Sequence, residues 1–173
     1  HFNPLAVFII FVVAGLLILG TRESAWVNST LVVLKVAALI LFGLSFGFVE
    51  ASVVVYLRHL TAPYREAAGL APYDLFPLLV GRELRANPVI NRIEHIELIR
   101  EVATLLMLWA AGMAIGRTPT ARFAAFLVAF GWWDIFFYLG LKLTIDWPAS
   151  IMTPDILFLV PVPWWGPVLS PVL

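Results

Sequence analysis

The stretch Arg92–Gly116, RIEHIELIREVATLLMLWAAGMAIG, begins with two turns dense in charge and then runs apolar to a glycine. It matches the length of about 20 residues that a helix needs to cross a bilayer, so it carries Glu94, His95, Glu97, Arg100 and Glu101 to or into the membrane. At about 100° per residue, Glu94, Glu97 and Glu101 fall within roughly 60° of one another, and Leu108 and Gly112 continue the same stripe. A charge at the bilayer centre costs on the order of 2.5–3.5 kcal/mol on insertion scales. A face bearing three carboxylates therefore turns toward protein, water or a cation, and the rest of the chain has to supply that neighbour.

The remaining residues place the chain in a membrane. The whole chain is 62% hydrophobic and 13% charged, with a mean hydropathy of +0.96. Soluble domains lie near ~45–50% apolar and ~25% charged, so the expectation is an integral membrane protein. Runs long enough to span lie at Pro4–Gly20, Leu31–Leu60, Ile93–Gly116 and Arg122–Ile145, and a fifth, proline-broken run lies at Asp155–Leu173. The predicted fold is all-α: a membrane helical bundle of four transmembrane helices plus a proline-broken C-terminal segment. Net charge is zero, which removes the case for nucleic-acid binding or polybasic attachment to lipid. Cysteine is absent, which excludes disulfides, thiolate metal sites and cysteine catalysis.

The chain starts at His1, which suggests a fragment or a processed product, and its first apolar run has neither the basic flank nor the cleavage pattern of a signal peptide. After Gly20, Thr21–Asn28 reads as a short polar turn, with Asn28, Ser29 or Thr30 able to cap the next helix. The stretch ILGTRESAWVNSTLVVLKVAALILF, residues 18–42, resembles the fourth-to-fifth helix hairpin of amino acid–polyamine–organocation permeases, through Gly20, Arg22, Glu23, Ser24, Ala25, Asn28 and Lys35. The resemblance implies shared descent for a hairpin that stands beside the substrate site. Those permeases hold substrate on two broken helices that have no counterpart here, so it implies no amino acid transport by this chain alone. From Ala38 onward the chain is similar to a family of small bacterial membrane proteins without an assigned function, through FGFVEASVVVYLR at 46–58, REVATLLMLW at 100–109, WDIFFYLGLKLTIDWPAS at 133–150 and DILFLVPVPWWGPVLSPV at 155–172. That resemblance implies a four-helix membrane fold and no chemistry. The two overlap at Ala38–Phe42, which suggests a fusion: a permease-like hairpin over 1–42 and a small helical bundle over 43–173, packed as one unit.

Within the bundle, Gly43, Gly47 and Ala51 form a small-xxx-small series, with Glu50 and Val54 on the same face of the helix. Gly112 and Gly116 give the next helix a GxxxG of its own. In the last span Asp134 sits about twelve residues, or roughly 18 Å, inside the helix, with Gly131, Tyr138 and Lys142 at helical spacing around it. Residues 61–91 form a long loop in which LFPLLVGREL could lie as a short amphipathic helix on the membrane surface. RTPTAR, Arg117–Arg122, is a tight basic connection. The tail, with Pro161, Pro163, Pro167 and Pro171 around Trp164 and Trp165, is expected to be bent and partly re-entrant or interfacial. Counting spans from the permease-like hairpin puts Arg22 on the cytoplasmic side, whereas the arginines of the 61–91 loop favour the opposite orientation.

Glu50, Glu101 and Asp134 all lie on faces rich in small residues, which pack together, so the three are expected to converge in a buried charge network with Glu94, Glu97 and Tyr138, and with Arg100 and Lys142 as counter-ions. The simplest role for such a network is to fix helix register. A proton or cation path is the next reading. A carboxylate-bridged metal site fits least, because the Glu-x-x-His pairs of di-iron bundles are missing and His1, His59 and His95 all sit at span ends. The sequence has no nucleophile, phosphate-loop or zinc motif, so no catalytic or metal residue is assigned. No cofactor is predicted; bound lipid is expected, and the tryptophans and carboxylates leave room for a pigment or a metal. The two GxxxG faces at Gly43/Gly47 and Gly112/Gly116 suggest a small non-catalytic accessory or scaffold subunit, contacting lipid and other membrane subunits or its own copies. The alternative is a transporter or ion- or proton-pathway element, motivated by the permease-like hairpin and the buried acids.

Overall fold

The structure, a computed structural model, describes residues 4–69 and 87–170. Helix α1 spans Pro4–Ala67. The turn expected at Thr21–Asn28 is helix, so the runs Pro4–Gly20 and Leu31–Leu60, predicted as two separate spans, belong to one element. No proline occurs between Pro4 and Pro63, and a single glycine such as Gly20 costs a helix only about 1 kcal/mol, so a few polar residues do not break it. The chain divides into two compact units, His1–Ala38 and Leu39–Leu173. In the first, the described side chains Phe8, Ile10, Phe11, Val13, Leu17 and Trp26 are exposed, apolar on all sides of the helix as a lipid-facing helix is.

The second unit contains the remainder of α1, with α2 at Pro88–Ile115, α3 at Pro119–Ile145 and a two-stranded antiparallel sheet of β1, Pro154–Phe158, and β2, Trp164–Pro167. Three described helical stretches are long and apolar enough to cross a membrane: Ala25–Ala67, Pro88–Ile115 and Pro119–Ile145. Three of the expected spans, Leu31–Leu60, Ile93–Gly116 and Arg122–Ile145, correspond to these stretches. The fold is a membrane helical bundle, but not all-α. Prolines 154, 161, 163 and 167 forbid a continuous helical ladder in the tail, and the segments between them pair instead as strands, with Pro154 opposite Pro167 and Asp155 opposite Gly166. LFPLLVGREL lies outside the described residues.

Two helices start earlier than periodicity suggested, each at a cap followed by proline. The Asn87 side chain accepts from the Val89 N–H at 2.9 Å ahead of Pro88, and the Thr118 hydroxyl accepts from the Ala121 N–H at 3.2 Å ahead of Pro119. Helix α1 continues past Leu60 into the segment read as loop, with the Thr61 hydroxyl donating to the Leu57 carbonyl at 2.8 Å.

The small residues serve close packing against α3. A Cβ on Gly43 would come within 2.7 Å of Trp132 Cβ, and one on Gly47 within 2.6 Å of the Trp133 carbonyl. One turn further on, Ala51 meets Gly140, where an added Cβ would lie 2.9 Å away. Gly112 and Gly116 do the same for α2, facing Phe126 and Arg122 at the start of α3. Leu39, Leu108, Ala125, Ala129, Trp133 and Phe158 form one core, and Ala51, Tyr138, Leu141 and Val168 form a second. Phe158 stacks on Phe130 at 5.9 Å and lies 5.8 Å from Trp133, so β1 is seated against the helices.

Candidate functional site

Helical spacing puts Ile90, Glu97, Glu101, Thr104, Leu108 and Gly112 on the buried face of α2. On α1, Glu50 is buried beside the small-residue face. Arg100 joins the two helices. Its guanidinium pairs with the Glu50 carboxylate and, through two N–H groups, with Glu97, with Nε donating to Oε2 at 2.8 Å. A guanidinium held between two carboxylates keeps its planar donors occupied. The other oxygen of Glu50 accepts from the Thr104 hydroxyl at 2.9 Å.

The sheet completes the site. Glu101 Oε2 accepts the Leu159 backbone N–H at 2.8 Å, giving a partner to a donor that non-helical backbone among membrane helices would otherwise leave bare. Asp155 of β1 is buried, accepts from its neighbour's Ile156 N–H at 2.8 Å and from the Tyr138 hydroxyl at 2.7 Å. Burial pushes its carboxyl up to about 6, and the hydrogen bonds from Tyr138 and Ile156 together with the Arg58 charge limit the rise. Arg58 of α1 is buried, with its guanidinium 4.8 Å from the centre of the Trp147 ring.

These groups line a partly open cavity of about 110 Å³ whose wall contains Glu50, Glu97, Glu101, Asp134 and Asp155 with Arg58 and Arg100, and the aromatic residues Trp133, Phe137, Tyr138, Trp147 and Phe158. Five carboxyls therefore face two guanidiniums. Three of the wall residues each have a buried atom with no hydrogen-bond partner among the described residues: Arg58 Nε, Trp133 Nε1 and Asp134 Oδ2. Such a cavity is polar and roomy enough for several waters, each of which needs only about 10–15 Å³.

Of the residues singled out by sequence, Glu50, Glu97, Arg100, Glu101, Asp134 and Tyr138 line this one cavity. Glu94, on the same stripe, is half-buried and stays outside its wall. Lys142 does not serve as a buried counter-ion. Its ammonium lies 2.6 Å from the carboxylate of exposed Asp146, which caps the C-terminus of α3 in a left-handed conformation, and this contact holds the Asp146 carboxyl below its usual range. Lysine at the end of a helix reaches outward along its stem to the polar side, and that wins over the longer path inward. Gly43, Gly47, Gly112 and Gly116 pack helices and are not among the residues that line this cavity.

Sequence reading missed Arg58, Thr104 and Asp155. Arg58 lies two residues before the end of the predicted span Leu31–Leu60, where interfacial residues sit, but α1 runs on to Ala67 and Arg58 is buried. Asp155 belonged to a tail whose path could not be read. A single acid at the head of the apolar run DILFLV was the available signal.

His95 Nδ1 lies 2.7 Å from the Asn91 carbonyl, an exposed contact one turn back on its own helix. No group of three or more metal-ligating side chains occurs among the described residues. No protein-family model, curated protein or solved structure matches the chain.

Proposed function

We propose that this is a non-catalytic integral protein of the bacterial inner membrane that takes protons, or a small cation in their place, into a buried acid cavity, as an element of a proton or ion pathway. The observation that carries this reading is the imbalance in the cavity wall: five carboxyls against two guanidiniums, with Asp134 Oδ2 left without a protein partner among the described residues. A network that only fixed helix register would be paired throughout, because a half-satisfied polar network in a low-dielectric interior costs more than an apolar core. Excess negative charge at that depth requires compensation from protons or a cation.

The accessory-subunit reading drew on the small-residue faces, and Gly43, Gly47, Gly112 and Gly116 are all covered by the chain's own α3. The resemblance of residues 18–42 to permeases agrees with a transport-related role and supplies no substrate site, so reconstituted protein is expected to show no saturable amino acid uptake. Infrared spectra of the full chain in detergent across a pH series test the proposal. A carbonyl stretch from protonated carboxyl groups should persist to neutral pH and shrink in Glu101→Gln and Asp134→Asn. A spectrum with no such band at neutral pH, together with no heat of binding for potassium or methylammonium, would sink it.

A further inference from the structure

A second cavity, of about 480 Å³, lies along α3. One wall is a stripe of that helix, Ile135, Leu139 and Lys142, at helical spacing. The other is the turn Pro148–Ile151 with Val168 and Leu169. Ile135, Leu139 and Ile151 are exposed, so the cavity is an open groove on the outside of a candidate membrane span. Apart from Asp134, Tyr138, Lys142 and Ser150, its lining is apolar.

The charges of α3 fix its depth. Between Arg122 and Lys142 the helix carries only Asp134. The two cations stand twenty residues apart, or about 30 Å, which is the thickness of a bilayer's hydrocarbon core. Lys142 therefore marks one boundary of the hydrocarbon. From there the groove runs about 12 Å inward, as far as Asp134, and stays within one leaflet.

We propose that this groove is a phospholipid site, in which one acyl chain lies along Ile135 and Leu139 and the phosphate meets the Lys142 ammonium at the boundary. Water in so apolar a groove would find few partners, and an empty groove would forfeit the contacts of its lining, so hydrocarbon fills it. The non-helical wall tolerates that neighbour because its donors are spent at home. The Ser150 N–H goes to the Thr153 hydroxyl at 3.0 Å, the Met152 N–H to the Ser150 hydroxyl at 3.0 Å, and the Leu169 N–H to the Ile151 carbonyl at 3.1 Å. At the inner end the Tyr138 hydroxyl is taken by Asp155 and Asp134 is only 4% exposed, so the end of an acyl chain meets little polar surface. At the outer end the ammonium has three donors. Asp146 takes two of them, through its carboxylate at 2.6 Å and its carbonyl at 3.5 Å, and one remains for a phosphate oxygen.

Native mass spectrometry of the full chain in detergent, titrated with dipalmitoyl phosphatidylglycerol and with dipalmitoylglycerol, tests the site. Wild type should bind one phospholipid about tenfold more tightly than the diacylglycerol, which has the same chains and no phosphate. Lys142→Gln should erase that difference. Leu139→Trp fills the groove and should weaken both lipids by about tenfold, whereas Leu127→Trp, at an exposed position of α3 outside the groove, should leave both unchanged. Because Lys142 is half-exposed, its variant keeps the test valid if Leu139→Trp fails to fold. Wild-type binding of phosphatidylglycerol in Lys142→Gln, or in folded Leu139→Trp, would overturn the proposal. A wild-type dimer that Leu139→Trp dissociates without loss of lipid would also overturn it, and would give the groove to a second copy of the chain.

Discussion

Asp155 is the buried acid whose environment is easiest to test by pH. Its carboxyl is raised from 3.8 to about 6, chiefly by burial, so the folded chain holds this proton more tightly than the unfolded chain does. The stability this contributes is fully present below about 3.8 and is lost as pH rises through about 6. A shift of this size corresponds to roughly 3 kcal/mol. Thermal unfolding in detergent should therefore show wild type losing ground relative to Asp155→Asn as pH rises from 4 to 7; parallel curves would contradict it. Neighbouring Tyr138 gives a second test. Tyr138→Phe removes the hydroxyl donor and leaves an Asp155 oxygen bare, at a cost of about 1–3 kcal/mol that should be greatest above pH 6, where the carboxylate is ionised. Much of the site was legible at this scale. Glu97 and Glu101 recur at helical spacing, and Glu50 shares its face with Gly43, Gly47 and Ala51, so periodicity alone brings them inward. Asp155 and Arg58 were not legible, because periodicity says nothing about a residue beyond the end of a helix, or about one whose helix end is misplaced by several residues.

Among the elements, the close crossings of α1 and α2 over α3 depend on glycine for approach. Gly47→Leu forces side-chain atoms into the Trp133–Phe137 backbone, and Gly112→Leu into Arg122 and Phe126, whereas an added Cβ at Gly20 meets nothing within 4 Å. Overpacking in a close-packed interior costs about 1–3 kcal/mol, so Gly47→Leu and Gly112→Leu should lower the melting temperature clearly more than Gly20→Leu; equal losses at all three positions would contradict the packing described. The small-residue spacing on both helices was readable, but it could not show which helix they meet. Sequence also could not foresee the sheet. Four prolines announce that a helix is impossible, and whether the freed backbone then pairs with itself, with water or with a neighbouring helix depends on partners far away in the chain, here Glu101.

For the whole molecule, every hydrogen bond and ion pair described at the acid cavity comes from residues after Leu39, the boundary at which the chain divides into two units. That boundary falls beside the overlap of the two resemblances at Ala38–Phe42. A chain reduced to Leu39–Leu173 should keep a cooperative thermal transition in detergent and the pH dependence set by Asp155, and loss of both on truncation would show that the first unit is needed to hold the second. Hydropathy identified the membrane class securely because it sums over many residues. It misplaced a helix end, since polar residues inside a long helix resemble a turn when only their polarity is counted.

The seating of the sheet has a consequence for how the chain is made. Synthesis runs from α1 to β2, so the three long helices enter the lipid before the last strands exist. Until those strands arrive, Glu101 has no Leu159 N–H to accept, Tyr138 has no Asp155, and the rings of Phe130 and Trp133 lack the cover of Phe158. The hairpin thus supplies the last wall of the acid cavity, in Asp155 through Leu159, and the partners of acids already in place on the helices. Chains that stop short of Pro154 carry all three candidate spans and none of these partners.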